Sequence, residues 1–186
     1  MSYDPAERHL LIPEDTEAAQ RDERLRAMGL TDRPDAQLDE FAARLAATTG
    51  ASYAMVNLFV DGRQYFAGLH TPSGPQTAPA SEAAAEPGRE MTYDQGFCPH
   101  VVNRRKSLVL EDVCDYPRFA GNRVVDELGI RTYLGAPLID HTGTTLGTIC
   151  VVDIEPRPWG QSGLETIKAM AAEAVELLKQ REAGLA

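Results

Sequence analysis

Residues 133–153 read YLGAPLIDHTGTTLGTICVVD. Two apolar runs, Tyr133 to Ile139 and Leu146 to Ile154, flank the loop Asp140-His141-Thr142-Gly143. Apolar segments of strand length separated by a short polar loop with a glycine predict an antiparallel hairpin. Pro137 has no N–H to give to a ladder, so the first run belongs at an edge or a bulge. The second run is almost continuously apolar, the pattern of a strand covered on both faces and therefore central.

Working outward, a second hairpin is written upstream. Tyr53 to Val60 is rich in apolar and aromatic residues, Asp61-Gly62 suits a turn with positive φ at both positions, and Gln64 to Ala67 returns as the partner. Two helices precede it. The first runs from a cap at Asp15 towards Met28 and stops at Gly29. The second follows Pro34, with Asp35 as N-cap, Leu38, Phe41, Ala42 and Leu45 on one face, and Gly50 at its end. Between the hairpins the spacing predicts short pieces. These are a helix capped by Asp94 that holds Phe97 and His100, a strand over Ser107 to Glu111, a turn over Asp115 to Phe119, and a helix from Asn122 closed by Gly129. A last helix spans Gln161 to Arg181. Leu164, Ile167, Ala171, Ala174 and Leu178 alternate in steps of three and four, while Met170, Val175 and Leu177 form a second stripe. Two stripes predict two packing surfaces, one for the sheet and one for another helix, hence a homodimer through the terminal helices. Hairpins between end helices give an α+β layer fold.

Periodicity fails between residues 69 and 90, where Pro72, Gly74, Pro75, Pro79, Pro87 and Gly88 interrupt an Ala/Ser/Thr-rich stretch. The expected organisation is an N-terminal arm over 1–14, a single domain over 15–182 with a flexible loop at 69–92 that is either disordered or a lid that orders only on binding, and a tail over 183–186.

Bulk properties narrow the function classes. The 186 residues are 43% hydrophobic and 25% charged, which suits one soluble domain. A formal net charge of -10 speaks against nucleic acid and against acidic lipid. The triplet Arg104-Arg105-Lys106 reads as the solvated end of a helix. Three cysteines, Cys98, Cys114 and Cys150, show no CxxC or zinc spacing. The polar opening residues are not a signal peptide, no apolar run reaches the ~20 residues of a membrane span, and the expected compartment is a reducing cytoplasm.

In order and spacing, three segments resemble the GAF domain family. They are Ala54-Met55-Val56-Asn57-Leu58-Phe59-Val60-Asp61 with Gln64-Tyr65-Phe66; then Gly96-Phe97-Cys98-Pro99-His100, Leu108 to Asp112 and Tyr116-Pro117-Arg118-Phe119; then Tyr133 to Leu138, Gly143 and Leu146 to Asp153. The resemblance covers roughly residues 20 to 182. It implies an antiparallel sheet with terminal helices packed on one face and, on the other, a pocket formed by short helices and loops. It further implies signalling, frequent dimerisation and a non-catalytic sensor module that binds a small molecule or a protein partner. By position it puts Phe97, Cys98, His100, Asp112, Phe119 and Tyr133 near the pocket. Aromatic walls with a few polar groups suit a ligand. The same residues have plainer uses: Phe97 and Phe119 as core, His100 as a structural histidine, Asp112 as the cap of the turn after it.

One branch of the family reduces free methionine-R-sulfoxide with pocket cysteines, chemistry that needs a thiolate and a resolving thiol. Cys98 and Cys114 are the pair for that alternative, although Cys114 lies between acidic neighbours, and Cys150 reads as an inert core thiol. The cyclic-nucleotide signature of the family is not matched by Phe119, Asn122-Arg123 and Asp126-Glu127 in order or spacing. Cys98, His100 and Cys114 do not make a metal, haem or bilin site. No GxSxG or GxxxxGK[ST] occurs. The cofactor stays open, and the output passes through the dimer or a separate effector protein.

Overall fold

The computed structural model describes residues 14–73 and 88–185. All of the arm predicted over 1–14 except Glu14, and most of the predicted 69–92 loop, therefore lie outside the described residues.

Six strands form one sheet in the order β3-β2-β1-β6-β5-β4, and every neighbouring pair is antiparallel. Strands β1 (Tyr53–Val60) and β2 (Arg63–His70) are the first hairpin; β5 (Thr132–Ile139) and β6 (Thr145–Asp153) are the second. The hairpins meet where β1 pairs with β6, from Tyr53 opposite Val152 to Leu58 opposite Gly147. Asp61 and Gly62 have φ of 49° and 73°, so the sequence supplied the two residues a left-handed turn tolerates. Every residue of β6 is buried, as a central strand requires.

Pro137 sits in β5 beyond the reach of its outer neighbour. Strand β4 (Leu108–Leu110) covers β5 only from Tyr133 to Gly135, so the outer side of Pro137 needs no partner. The short edge strand β3 (Glu90–Thr92) carries no alternation to announce it, and β2 extends to His70. Both ends of the predicted 69–92 loop are thus strand.

Helices α1 (Ala18–Ala27), α2 (Ala36–Thr49) and α6 (Gly160–Leu185) pack on one face. Leu38, Phe41, Ala42 and Leu45 of α2, with Ile167, Ala174 and Leu178 of α6, meet Ala54, Val56 and Leu58 of β1 and Ile149 and Val151 of β6. Asp35 caps α2 by accepting from the Leu38 N–H at 3.0 Å, and Gly50 closes it at φ 71°. Asp15 is not the cap of α1. Its carboxylate accepts from Glu17 N and grips the buried Arg21 guanidinium, so an ion pair six residues along takes the side chain that local pattern assigned to the helix end. The second stripe of α6 is less exposed than a free docking face: Met170 is buried, and Val175 and Leu177 are half-buried against the same core.

The segment between β3 and β5 crosses the other face. It carries α3 (Cys98–Arg104), a 3-10 turn at Val113–Asp115, α4 (Pro117–Ala120) and α5 (Arg123–Leu128). Asn122 caps α5 and Gly129 closes it at φ 68°. The basic triplet does end a helix, with Arg105 in the left-handed region at φ 54°. Asp94 does not cap α3; it accepts from the Thr92 hydroxyl, and Phe97 holds the cap position without a side-chain bond.

Candidate functional site

The pocket face is built from alternate residues of the central strands. Met55 and Asn57 of β1, Gln64 and Phe66 of β2, Tyr133 of β5, and Thr148, Cys150 and Val152 of β6 point away from the helical layer. Over them lie Phe97, Cys98 and Val101, Phe119, Val124 and Ile130. Between floor and roof a cavity of about 40 Å³ remains, lined mainly by Met55, Phe66, Phe97, Cys98, Tyr133 and Cys150. That is room for water-sized occupants, far below the several hundred Å³ typical of sites for larger ligands.

Aromatic rings fill the rest. Phe97 stands edge-on to Tyr133 at 5.3 Å between centroids and to Phe119 at 5.9 Å, and His100 stands edge-on to Phe119 at 5.0 Å. Of the six residues placed near the pocket from sequence, Phe97, Cys98 and Tyr133 line the cavity. His100 and Phe119 are buried beside it as part of the roof. Asp112 lies away from it. Its carboxylate accepts from Cys114 N and pairs with Arg131, and that guanidinium holds its pKa below the usual carboxylate value. The Leu108–Leu110 strand ends just before Asp112, which leaves its side chain free to cap the turn rather than face inward.

Several polar atoms are buried here without a partner: Asn57 Oδ1, Thr148 Oγ1 and His100 Nδ1. Gln64, by contrast, is well held. Its Oε1 accepts from Asn57 Nδ2 at 2.7 Å, and its Nε2 donates to the carbonyls of Thr92 and Gln95 at 2.8 and 2.7 Å. Burial, aided by Arg118 and Arg104 nearby, lowers the His100 pKa to about 4, so the ring is neutral at neutral pH.

The sulfur atoms are arranged unlike the expected pair. Cys114 is exposed on the 3-10 turn, while Cys98 and Cys150 are buried with their Sγ atoms 3.6 Å apart. The Tyr133 hydroxyl lies 3.3 Å from Cys98 Sγ. Burial works against charge on either sulfur. Cys98 is nonetheless the more acidic, because its contacts with the Cys150 sulfur and the Tyr133 hydroxyl bring its pKa below the ordinary thiol value. Cys150 is driven well up by its bond to Cys98 and by burial, and burial with the two neighbouring sulfurs drives Tyr133 up as well. Sequence gave Cys150 as an inert core thiol; its contact with Cys98 depends on where α3 lands on β6, which no local pattern encodes. Among the described residues no cluster of three or more His, Cys, Asp or Glu could hold a metal ion. No helix among them is long and apolar enough to cross a membrane.

Comparison with known proteins bears on this arrangement of sheet, roof and helical layer. The family model of the GAF domain matches residues 33–177. The chain belongs to the GAF domain family. That family comprises signalling and sensor modules, and the sheet with helices on both sides is its α+β fold. A GAF sensor protein from Burkholderia vietnamiensis aligns with a TM-score of 0.61 at 18% identity, over 97% of this chain and 99% of that one. The blue-light-absorbing form of the PixJ GAF domain from Thermosynechococcus elongatus aligns with a TM-score of 0.61 at 13% identity, over 90% of each chain. Free methionine-R-sulfoxide reductase from Neisseria meningitidis aligns with a TM-score of 0.58 at 16% identity, over 94% of this chain and 97% of that one. At such identities the likeness is one of fold. A cyclic di-GMP phosphodiesterase of Pseudomonas aeruginosa is 37% identical over 70 residues, which are 37% of this chain and 12% of that protein.

Proposed function

We propose that this GAF domain is a non-catalytic sensor that binds a small molecule beneath α3 and α5 and signals through the α6 layer to a second copy or a separate effector protein. The observation that carries the reading is the set of buried polar atoms without partners, Asn57 Oδ1, Thr148 Oγ1 and His100 Nδ1, in the layers of floor and roof behind the mainly apolar wall of the cavity. A core selected only for packing would hold Val or Leu at these positions, since each unmet polar atom costs about 1–3 kcal/mol. A ligand with a donor and an acceptor on an apolar body supplies what they lack. Because the cavity is small, such a ligand must displace part of the Phe97–Phe119–Tyr133 roof, and that displacement is the differential binding a sensor needs. The three cysteines being free suits the reducing cytoplasm, where we place the protein.

The filled roof also favours a second reading, a protein-docking module whose pocket is occupied by its own side chains. Native mass spectrometry of the freshly purified protein separates the two. The sensor reading expects a dimer carrying a small-molecule adduct that is lost on Asn57→Leu. A bare dimer of wild-type protein that never acquires an adduct favours the docking module, and a bare monomer overturns both.

A further inference from the structure

We propose that Cys98 and Cys150 form a peroxide-responsive dithiol that closes to a disulfide between α3 and the central strand β6. The two Sγ atoms touch at 3.6 Å, so closure to the ~2.05 Å of a disulfide needs a shift of sulfur positions rather than a rearrangement of the fold. Both sulfurs face the same cavity, whose size admits a molecule as small as hydrogen peroxide. Cys114, exposed on its turn, lies outside that cavity's walls.

The chemistry balances with a peroxide as the named oxidant. The Cys98 thiolate attacks one peroxide oxygen; an S–O bond forms, the O–O bond breaks, and hydroxide leaves to be protonated to water. The Cys150 sulfur then attacks the Cys98 sulfur. An S–S bond forms, the S–O bond breaks, and the departing hydroxide takes the Cys150 proton as a second water. Two thiols and one peroxide give one disulfide and two waters, the sulfur pair losing two electrons and the O–O bond gaining them. The division of labour follows from the surroundings. The Tyr133 hydroxyl and the Cys150 sulfur lie against the Cys98 sulfur and favour its thiolate, while Cys150 keeps its proton until it resolves the intermediate.

Closure acts on the roof. Drawing Cys98 towards β6 weakens its contact with the Tyr133 hydroxyl and carries the adjoining Phe97, which stands edge-on to both Tyr133 and Phe119. The dithiol thus sets the position of the roof independently of any ligand below it.

The test uses the full chain. Reduced protein is treated with hydrogen peroxide, quenched, denatured, alkylated and examined by intact mass and peptide mapping. The expected result is that two of the three cysteines escape alkylation together and are recovered by dithiothreitol. The mapped link should join the Cys98 and Cys150 peptides, and Cys114→Ser should behave as wild type. In Cys150→Ala the link should vanish and Cys98 should proceed to sulfinic acid. The wild-type peptide map decides the matter even if that variant folds poorly. Retention of both buried thiols, a link that includes Cys114, or sulfinic acid at Cys98 of wild type without a disulfide would overturn the proposal.

Discussion

At the scale of single residues, Gly147 shows how closely the sheet is built. A Cβ there would fall 2.0 Å from the Asn57 carbonyl oxygen of the neighbouring strand, which is backbone and cannot step aside. Gly147→Ala is therefore expected to destabilise the domain by about 3 kcal/mol, the upper range for overpacking. Gly143→Ala meets nothing within 4 Å and carries only the strain of φ +84°, about 1 kcal/mol. Urea titration of the two variants should rank them in that order; equal losses would mean that the close approach of β1 and β6 is not as drawn. His100 supplies a pH signature. In the unfolded chain it takes a proton near pH 6.5, in the folded one only near 4, so protonation favours unfolding. Its contribution is complete above pH 6.5 and drains away as the pH falls through 4. Melting temperatures measured across that window should drop more steeply for wild type than for His100→Leu, and parallel slopes would refute the assignment. Asp112, Asp140 and Asp153, whose pKa values are also lowered, remain in both proteins and cancel in the comparison.

At the scale of elements, β2 depends on one guanidinium. The register shifts between Val56 and Asn57, which leaves Ala67 without an opposite residue. The freed carbonyls of Phe66 and Ala67 are met by Arg89, which also holds the Asp39 carboxylate through both of its terminal nitrogens. Arg89→Met removes the cation from a partly buried carboxylate and leaves the Phe66 carbonyl without its side-chain donor, while Ala67 O keeps the Asp35 N–H; it is expected to cost about 3 kcal/mol in chemical denaturation. A loss below half of that would place the bulge's stability elsewhere. Such a device also marks the boundary of what the sequence discloses. The two hairpins, the caps at Asp35 and Asn122, and the closing glycines 50 and 129 are local chemistry and can be read in order along the chain. Strand β3 and the bulge are settled by groups distant in sequence, whereas Asp15 and Asp94 find partners two to six residues away that compete with the cap position. The site divides the same way. Phe97, Cys98 and Tyr133 follow from the family pattern, whereas the buried Asn57–Gln64 pair and the seat of Cys98 on Cys150 arise from the register of β1, β2 and β6.

At the scale of the whole molecule, charge constrains how two copies could meet. Each chain carries a formal net charge of -10, which repels a second copy and favours association on a face where basic or apolar groups meet acidic ones. Such a face runs beside α6. Beyond the end of β4 the outer side of β5 is open, and between it and α6 lies a groove of about 620 Å³ lined by Lys106, Pro137, Ile139, Leu164, Lys168 and Val175. Its rim is basic and its floor apolar. The exposed side of α6 offers the complement, with Glu165 and Glu176 standing clear of the core. Two copies that lay α6 in each other's grooves would pair those glutamates with Lys106 and Lys168 and cover Leu164 and Val175, a self-complementary contact of the kind a two-fold axis requires. The double variant Lys168→Glu and Ala172→Glu reverses the rim charge at exposed positions and touches no buried residue. Sedimentation velocity should show wild type as a dimer and the double variant as a monomer, with far-UV circular dichroism unchanged. If the double variant sediments as wild type does, α6 is not the dimer face, and the signal must leave the domain by another surface.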